Sequence, residues 1–170
     1  MTRALRSIVA DAAGMSLAEI LVACAIVGIG LAGLLSVVPT ASYGIQEGQQ
    51  LSTATFLANQ RLEEVRSATW TAMPVNDCLG KSDSSTVAAT SPACNGAAVT
   101  TFPDEAPMAF PYAGYSRTVR IADCSVAPGC GGVTDAKLRQ VTIAVTYRAS
   151  TATGLGAAKT ALVSMLMAQR

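Results

Sequence analysis

The chain has 170 residues, a formal net charge of +1 and no histidine. So even a charge balance offers no basic excess for phosphate-driven nucleic-acid binding, and the missing histidine removes the commonest general base and metal ligand. Hydrophobic residues make up 51% of it, and the length suits one membrane helix plus one small globular domain.

Residues 1–14 read as a short basic leader, with Arg3 and Arg6 its only Lys or Arg. Gly14-Met15-Ser16-Leu17-Ala18-Glu19 follows, and then Ile20 to Val38, 19 residues with no charge and one hydroxyl, Ser36. As a helix that run reaches roughly 28 Å at about 1.5 Å per residue, close to a bilayer core. A secretory signal has a shorter apolar run, about 7–15 residues, with its cleavage site after it. Here the candidate cleavage residue, Gly14, precedes the span. After Arg6 the next basic residue is Arg61, so the positive-inside rule places the N-terminus in the cytoplasm and the chain beyond Pro39 outside.

Residues 15–38 are therefore expected to form the anchor helix. Gly28, Gly30 and Gly33 lie in its middle. The residues by themselves favour close helix packing as their reason. Pro39 removes a backbone donor and is expected to kink or end the helix. From Leu51 a helical period resumes: Leu51, Ala54, Ala58, Leu62, Val65 and Thr69 step by three or four and share one face. Residues 39–73 thus read as an amphipathic half, stopped at Pro74. Residues 74–113 are rich in Ser, Thr, Ala, Pro and Gly without a sustained period, and read as one long connection.

Strands come next. Tyr115 to Ala122 is the first; Val141, Ile143, Val145 and Tyr147 alternate with Thr142, Ala144, Thr146 and Arg148 in a period of two. Gly154-Leu155-Gly156 marks a turn, and Thr160–Met167 is a third apolar run. Three or more antiparallel strands laid across the amphipathic half, in an extracytoplasmic domain over residues 74–170, make an α+β fold.

Four cysteines, Cys78, Cys94, Cys124 and Cys130, fall in the exported part. An even number in an oxidising compartment reads as two disulfides; zinc is disfavoured because no Cys-x-x-Cys pair and no histidine is present. Three pairings are possible, and the nearest neighbours are preferred, Cys78–Cys94 and Cys124–Cys130. The first would close a loop worth roughly 3 kcal/mol in the chain-entropy account. Cys24, inside the span, reads as a small reduced hydrophobe. Ser84, Ser85, Asp104, Glu105 and Asp123 read as isolated, solvated polar groups. No catalytic set, metal site or cofactor cradle is legible, so an enzyme is not expected.

Glu19 is open to two readings. Ser16-Leu17-Ala18-Glu19 is a capping box, and an acid in the first helical turn complements the dipole. Yet a carboxylate at the edge of an apolar span is costly and usually finds a counter-charge. A cut after Gly14 would create one, the ammonium of Met15.

The basic leader, Gly14, a small polar Ser16, Glu19 and the full-length apolar helix together resemble the prepilin signal of type IV pilins and type II secretion pseudopilins. Leu57-Ala58-Asn59-Gln60-Arg61-Leu62-Glu63-Glu64-Val65-Arg66 and Leu138–Tyr147 are similar to the same family, most of all to minor pilins of the PilV type and pseudopilin I. The resemblance covers residues 14–70 and, more weakly, 115–150. It implies cleavage between Gly14 and Met15 by a prepilin peptidase that also methylates Met15. It implies that Glu19 sets register against a neighbouring subunit's amino terminus. It implies a pilin-like fold, a long spine helix on a small sheet with a disulfide-stapled variable loop. Its partners would be major and minor pilins, the peptidase, an inner-membrane assembly platform and, before assembly, the bilayer.

The expected function is a minor pilin, a structural subunit that primes or joins a type IV pilus. A minor pseudopilin of a type II secretion system is the nearest alternative. A membrane-anchored extracytoplasmic binding or adhesion domain, with residues 74–113 as its contact surface, is the alternative from another class. The Gly14/Glu19 arrangement separates the first two from the third, since a simple anchor needs neither.

Overall fold

The computed structural model describes residues 16–148 and 157–170. The leader, the Gly14–Met15 bond and the Gly154-Leu155-Gly156 turn lie outside those residues. The chain divides after Ser42 into two compact units.

One helix, α1, runs from Leu17 to Ser67 and contributes to both units. Pro39 does not end it. In the first unit its side chains from Leu17 to Val38 are all exposed, Leu, Ile and Val included. By length and composition α1 can cross a membrane. The helix stops at Ser67, well before Pro74, because Trp70–Thr71 has already entered a strand.

In the second unit α1 meets three small antiparallel sheets. The first pairs β1 (Trp70–Thr71) with β2 (Asn76–Asp77). The second pairs β3 (Ala89–Cys94) with β4 (Ala97–Phe102). The third has the order β5 (Tyr115–Asp123), β6 (Leu138–Arg148), β7 (Ala158–Ala168). The fold is α+β.

The core follows from two periods. Val119 and Ile121 on β5 and Val141, Ile143, Val145 and Tyr147 on β6 alternate inward. Ala54, Leu57, Ala58 and Val65 on α1 cluster with them, as do Trp70, Leu79 and Phe102. Burying each large aliphatic chain contributes about 1.5–3 kcal/mol. Ala54, Ala58 and Val65 of the expected stripe are buried, and Leu62 packs against the core. Leu57 is fully buried, whereas Leu51 and Thr69 are exposed. Thr69 lies past the helix end, and Leu57 with Ala58 forms the centre of the contact.

The stretch 74–113 is not a structureless connection. It holds β2 and the β3–β4 hairpin. Asn95 and Gly96, the two residues between Cys94 and Ala97, both have positive φ, 49° and 82°. That is the backbone of a two-residue hairpin turn, and Asn-Gly is its favoured sequence. The signal was present in the chain, but β3 and β4 are short and bulged, with too few buried positions to show a period. Gly80 is required for space as well as for its φ of +71°: a Cβ there would sit 2.8 Å from the Thr90 carbonyl oxygen.

Candidate functional site

The mouth of α1 is built by residues 16–20. Ser16 Oγ accepts from the Glu19 amide at 3.2 Å, and the Ser16 amide donates to Glu19 Oε2 at 3.4 Å. This reciprocal cap satisfies helix-end donors without outside help. Both residues are exposed. Gly14 and Met15, the expected cleavage and methylation residues, lie outside the described residues.

Beyond the cap the helix surface is apolar and small. Hydroxyls in it are satisfied internally: Ser36 Oγ donates to the Gly33 carbonyl at 2.7 Å and Ser42 Oγ to the Val38 carbonyl at 3.0 Å. A Cβ added at Gly28, Gly30 or Gly33 would meet nothing within 4 Å. Among the described residues no contact demands those glycines. Cys24 is exposed and carries no disulfide.

The four remaining cysteines are bonded in two local pairs. Cys78 joins Cys94 with Cα atoms 4.5 Å apart, and Cys124 joins Cys130 at 5.1 Å. The first ties the β3–β4 hairpin, just before its turn, to the end of β2. The second closes a small loop after β5 in which Gly129 is confined: a Cβ on it would collide with the Val133 carbonyl.

Asp104 and Glu105 are not the isolated, solvated groups expected. Each pairs with an arginine of β5. Glu105 binds Arg117 through Nε and Nη2, both at 3.0 Å, and Arg61 of α1 lies 3.5 Å from it. Arg117 is only 7% exposed, on the same inward face as Val119 and Ile121. Its third contact is the Leu57 carbonyl of α1 at 3.1 Å. Asp104 binds Arg120, which also donates to the Ser85 and Thr86 carbonyls at 2.9 and 3.1 Å. Hydrogen bonding to Arg120 holds the Asp104 carboxyl below its ordinary value, and Asp104 raises Arg120 in turn. Asp123 only caps the Ser125 amide at 2.9 Å, and Ser84 bonds Thr86 beside it. Arg139 stacks 4.3 Å above the Trp70 ring and pairs with Asp77 at 2.8 Å. These arginines fasten loops and hairpins to the sheet.

Among the described residues no group of three or more Cys, Asp or Glu is placed to hold a metal ion. What the residues do form is a capped, membrane-length apolar helix that continues into a stapled α+β unit. No protein-family model, no curated protein and no solved structure matches this chain.

Proposed function

We propose that the chain is a minor pilin, a structural subunit that primes or joins a type IV pilus after cleavage between Gly14 and Met15. One observation carries the reading. A single helix begins at the Ser16–Glu19 cap, runs through an uncharged exposed stretch, and ends packed under a small sheet. A plain anchor needs no acid at its mouth and no continuity into the domain core. A subunit that leaves the bilayer for a filament needs a polar register contact. Association of apolar helices gains little hydrophobic energy inside lipid, so packing and a specific polar contact must set register.

In this reading Glu19 recognises the amino terminus of an adjacent subunit, and Met15 becomes that terminus, methylated, in the mature chain. The N-terminus enters from the cytoplasmic side and the disulfide-bonded unit lies in the periplasm, where its cysteines are oxidised. The protein would not act alone: major and minor pilins, the prepilin peptidase and the inner-membrane assembly platform are its partners.

The experiment is an intact-mass measurement on chain purified from its native membranes, joined to a deletion strain scored for surface pili and for secreted enzymes. The expected mature chain starts at methylated Met15, and the deletion lowers pilus number. A chain starting at Met1 or beyond Val38 would refute the reading. Normal piliation with lost secretion would assign the same subunit to a type II secretion machine.

A further inference from the structure

Two turns of α1 lie inside the second unit but ahead of its apolar contact. The helix reaches the core at Ala54, and from Tyr43 to Ser52 every residue except Glu47 and Gln50 is exposed. Little packing holds this stretch helical, and packing is what stabilises most helices in proteins. Its composition works against it as well. Gly44 and Gly48 flank Glu47, and each weakens the helix relative to alanine. Among the described residues neither glycine is needed for space, since a Cβ on either would meet nothing within 4 Å. Just beyond, Thr53 and Thr55 donate from Oγ1 to the Gln49 and Leu51 carbonyls, both at 2.9 Å, a back-bonding that loosens a helix further.

A long-range contact crosses this weak stretch. Glu47 Oε1 pairs with Lys159 Nζ of β7. Glu47 is the only charged residue between Glu19 and Arg61, so no neighbour one turn away on the helix can serve as its counter-charge. The sheet side of the contact is firm. Lys159 lies opposite Tyr147 in the ladder with β6, two residues before Ala161, whose side chain is in the core with those of α1. Alternation puts Lys159 on that same face. The pair itself is open to solvent, with the Lys159 and Glu47 side chains 42% and 34% exposed. Such a pair is weak and is screened by salt. Its strength is comparable to what one of the two glycines takes away.

We propose that Glu47–Lys159 is a charge-operated latch. Closed, it holds turns 43–50 of α1 helical. Released, by salt or by a charged group that draws either side chain away, it lets those turns open while the sheet and the apolar contact from Ala54 onward stay folded. Segments that open locally are drawn from the least stable part of a fold, and this stretch has the required balance: few buried contacts, two glycines and one screenable tether to β7. The latch does not depend on the pilus reading.

The test is hydrogen exchange on the full-length chain in detergent, read at the amides of residues 44–50. Glu47→Gln keeps the helix propensity and removes the charge, and Lys159→Met removes its partner. Each should speed exchange there by up to about fivefold, the most an exposed pair contributes, with the strand amides from Val141 to Val145 unchanged. Exchanging the charges, Glu47→Lys with Lys159→Glu, should restore the wild-type rate. Adding Gly48→Ala to the Glu47→Gln chain should restore it by another route, through propensity alone. Sodium chloride at about 1 M should speed exchange in the wild type and not in Glu47→Gln. Unchanged exchange in both single variants, or a charge exchange that fails to restore protection, overturns the latch. An equal rise at the β6 amides makes the pair a contributor to global stability and overturns it too.

Discussion

Arg117 of β5 donates from Nη1 to the Leu57 carbonyl of α1 at 3.1 Å, joining residues sixty positions apart. The same guanidinium holds Glu105 in a two-pronged pair. One buried cation thereby fixes helix, sheet and the loop that covers the sheet's edge.

Replacing it should be costly. Arg117→Met removes three hydrogen bonds and leaves Glu105 facing Arg61 alone. Glu105 is about a third exposed and can turn to water, which limits the loss. The expected destabilisation is about 1.5–3 kcal/mol, the range for losing hydrogen bonds to a charged group. Urea unfolding of the full chain in detergent measures it. Arg117→Met combined with Glu105→Gln should cost less than the sum of the two single changes, because the pair they share is lost in either one.

Asp104 predicts a pH effect of defined sign. Its folded value lies below the ordinary 3.8 because Arg120 hydrogen-bonds the charged form. The stabilisation is therefore present above pH 3.8 and is lost as pH falls through the lower, folded value. Solvent at this pair keeps the effect small. Asp104→Asn should flatten the acid limb of a stability–pH curve below about pH 4 and leave the slope near neutrality unchanged.

The disulfides should differ in weight. Cys78–Cys94 spans 16 positions and Cys124–Cys130 spans 6, so the first restrains the unfolded chain more. Cys78→Ser with Cys94→Ser should cost about 3 kcal/mol. The equivalent change at Cys124 and Cys130 should cost less. Thermal melts of both double variants, with reduced wild type as reference, decide the order.

Glu19 can be separated into its two possible roles. Glu19→Gln keeps a side chain able to close the capping box but removes the charge. Glu19→Val removes both, and makes the span more apolar. Between Met15 and Gln46 no other Asp, Glu, Lys or Arg is present. Both variants should insert and be cleaved, and both should fail to support piliation. Membrane fractionation, N-terminal mass and pilus counts read the three steps. If Glu19→Gln assembles normally, the residue is a helix cap and nothing more.

Local patterns were legible wherever one face of an element is buried over its whole length. The period of two in Val141–Tyr147 placed β6 and its inward face. The uncharged run before Pro39 marked the membrane-length helix, and Ser16-Leu17-Ala18-Glu19 announced its cap. Those features depend on neighbours in sequence and on the solvent each face meets. Arg117, Asp104, Glu105 and Leu57 could not be read that way. A buried arginine on an apolar face looks like a break in the pattern until its carboxylate arrives from another segment. The β3–β4 hairpin was hidden for the opposite reason, since its short strands bury too little to show a period, though Asn95-Gly96 announced its turn. Which edge of the sheet is covered is decided by tertiary structure alone. The path of the distant segments at Ser82 and Glu105–Met108 covers the β5 edge, and among the described residues no backbone group covers β7 in the same way from Ala158 to Ala168.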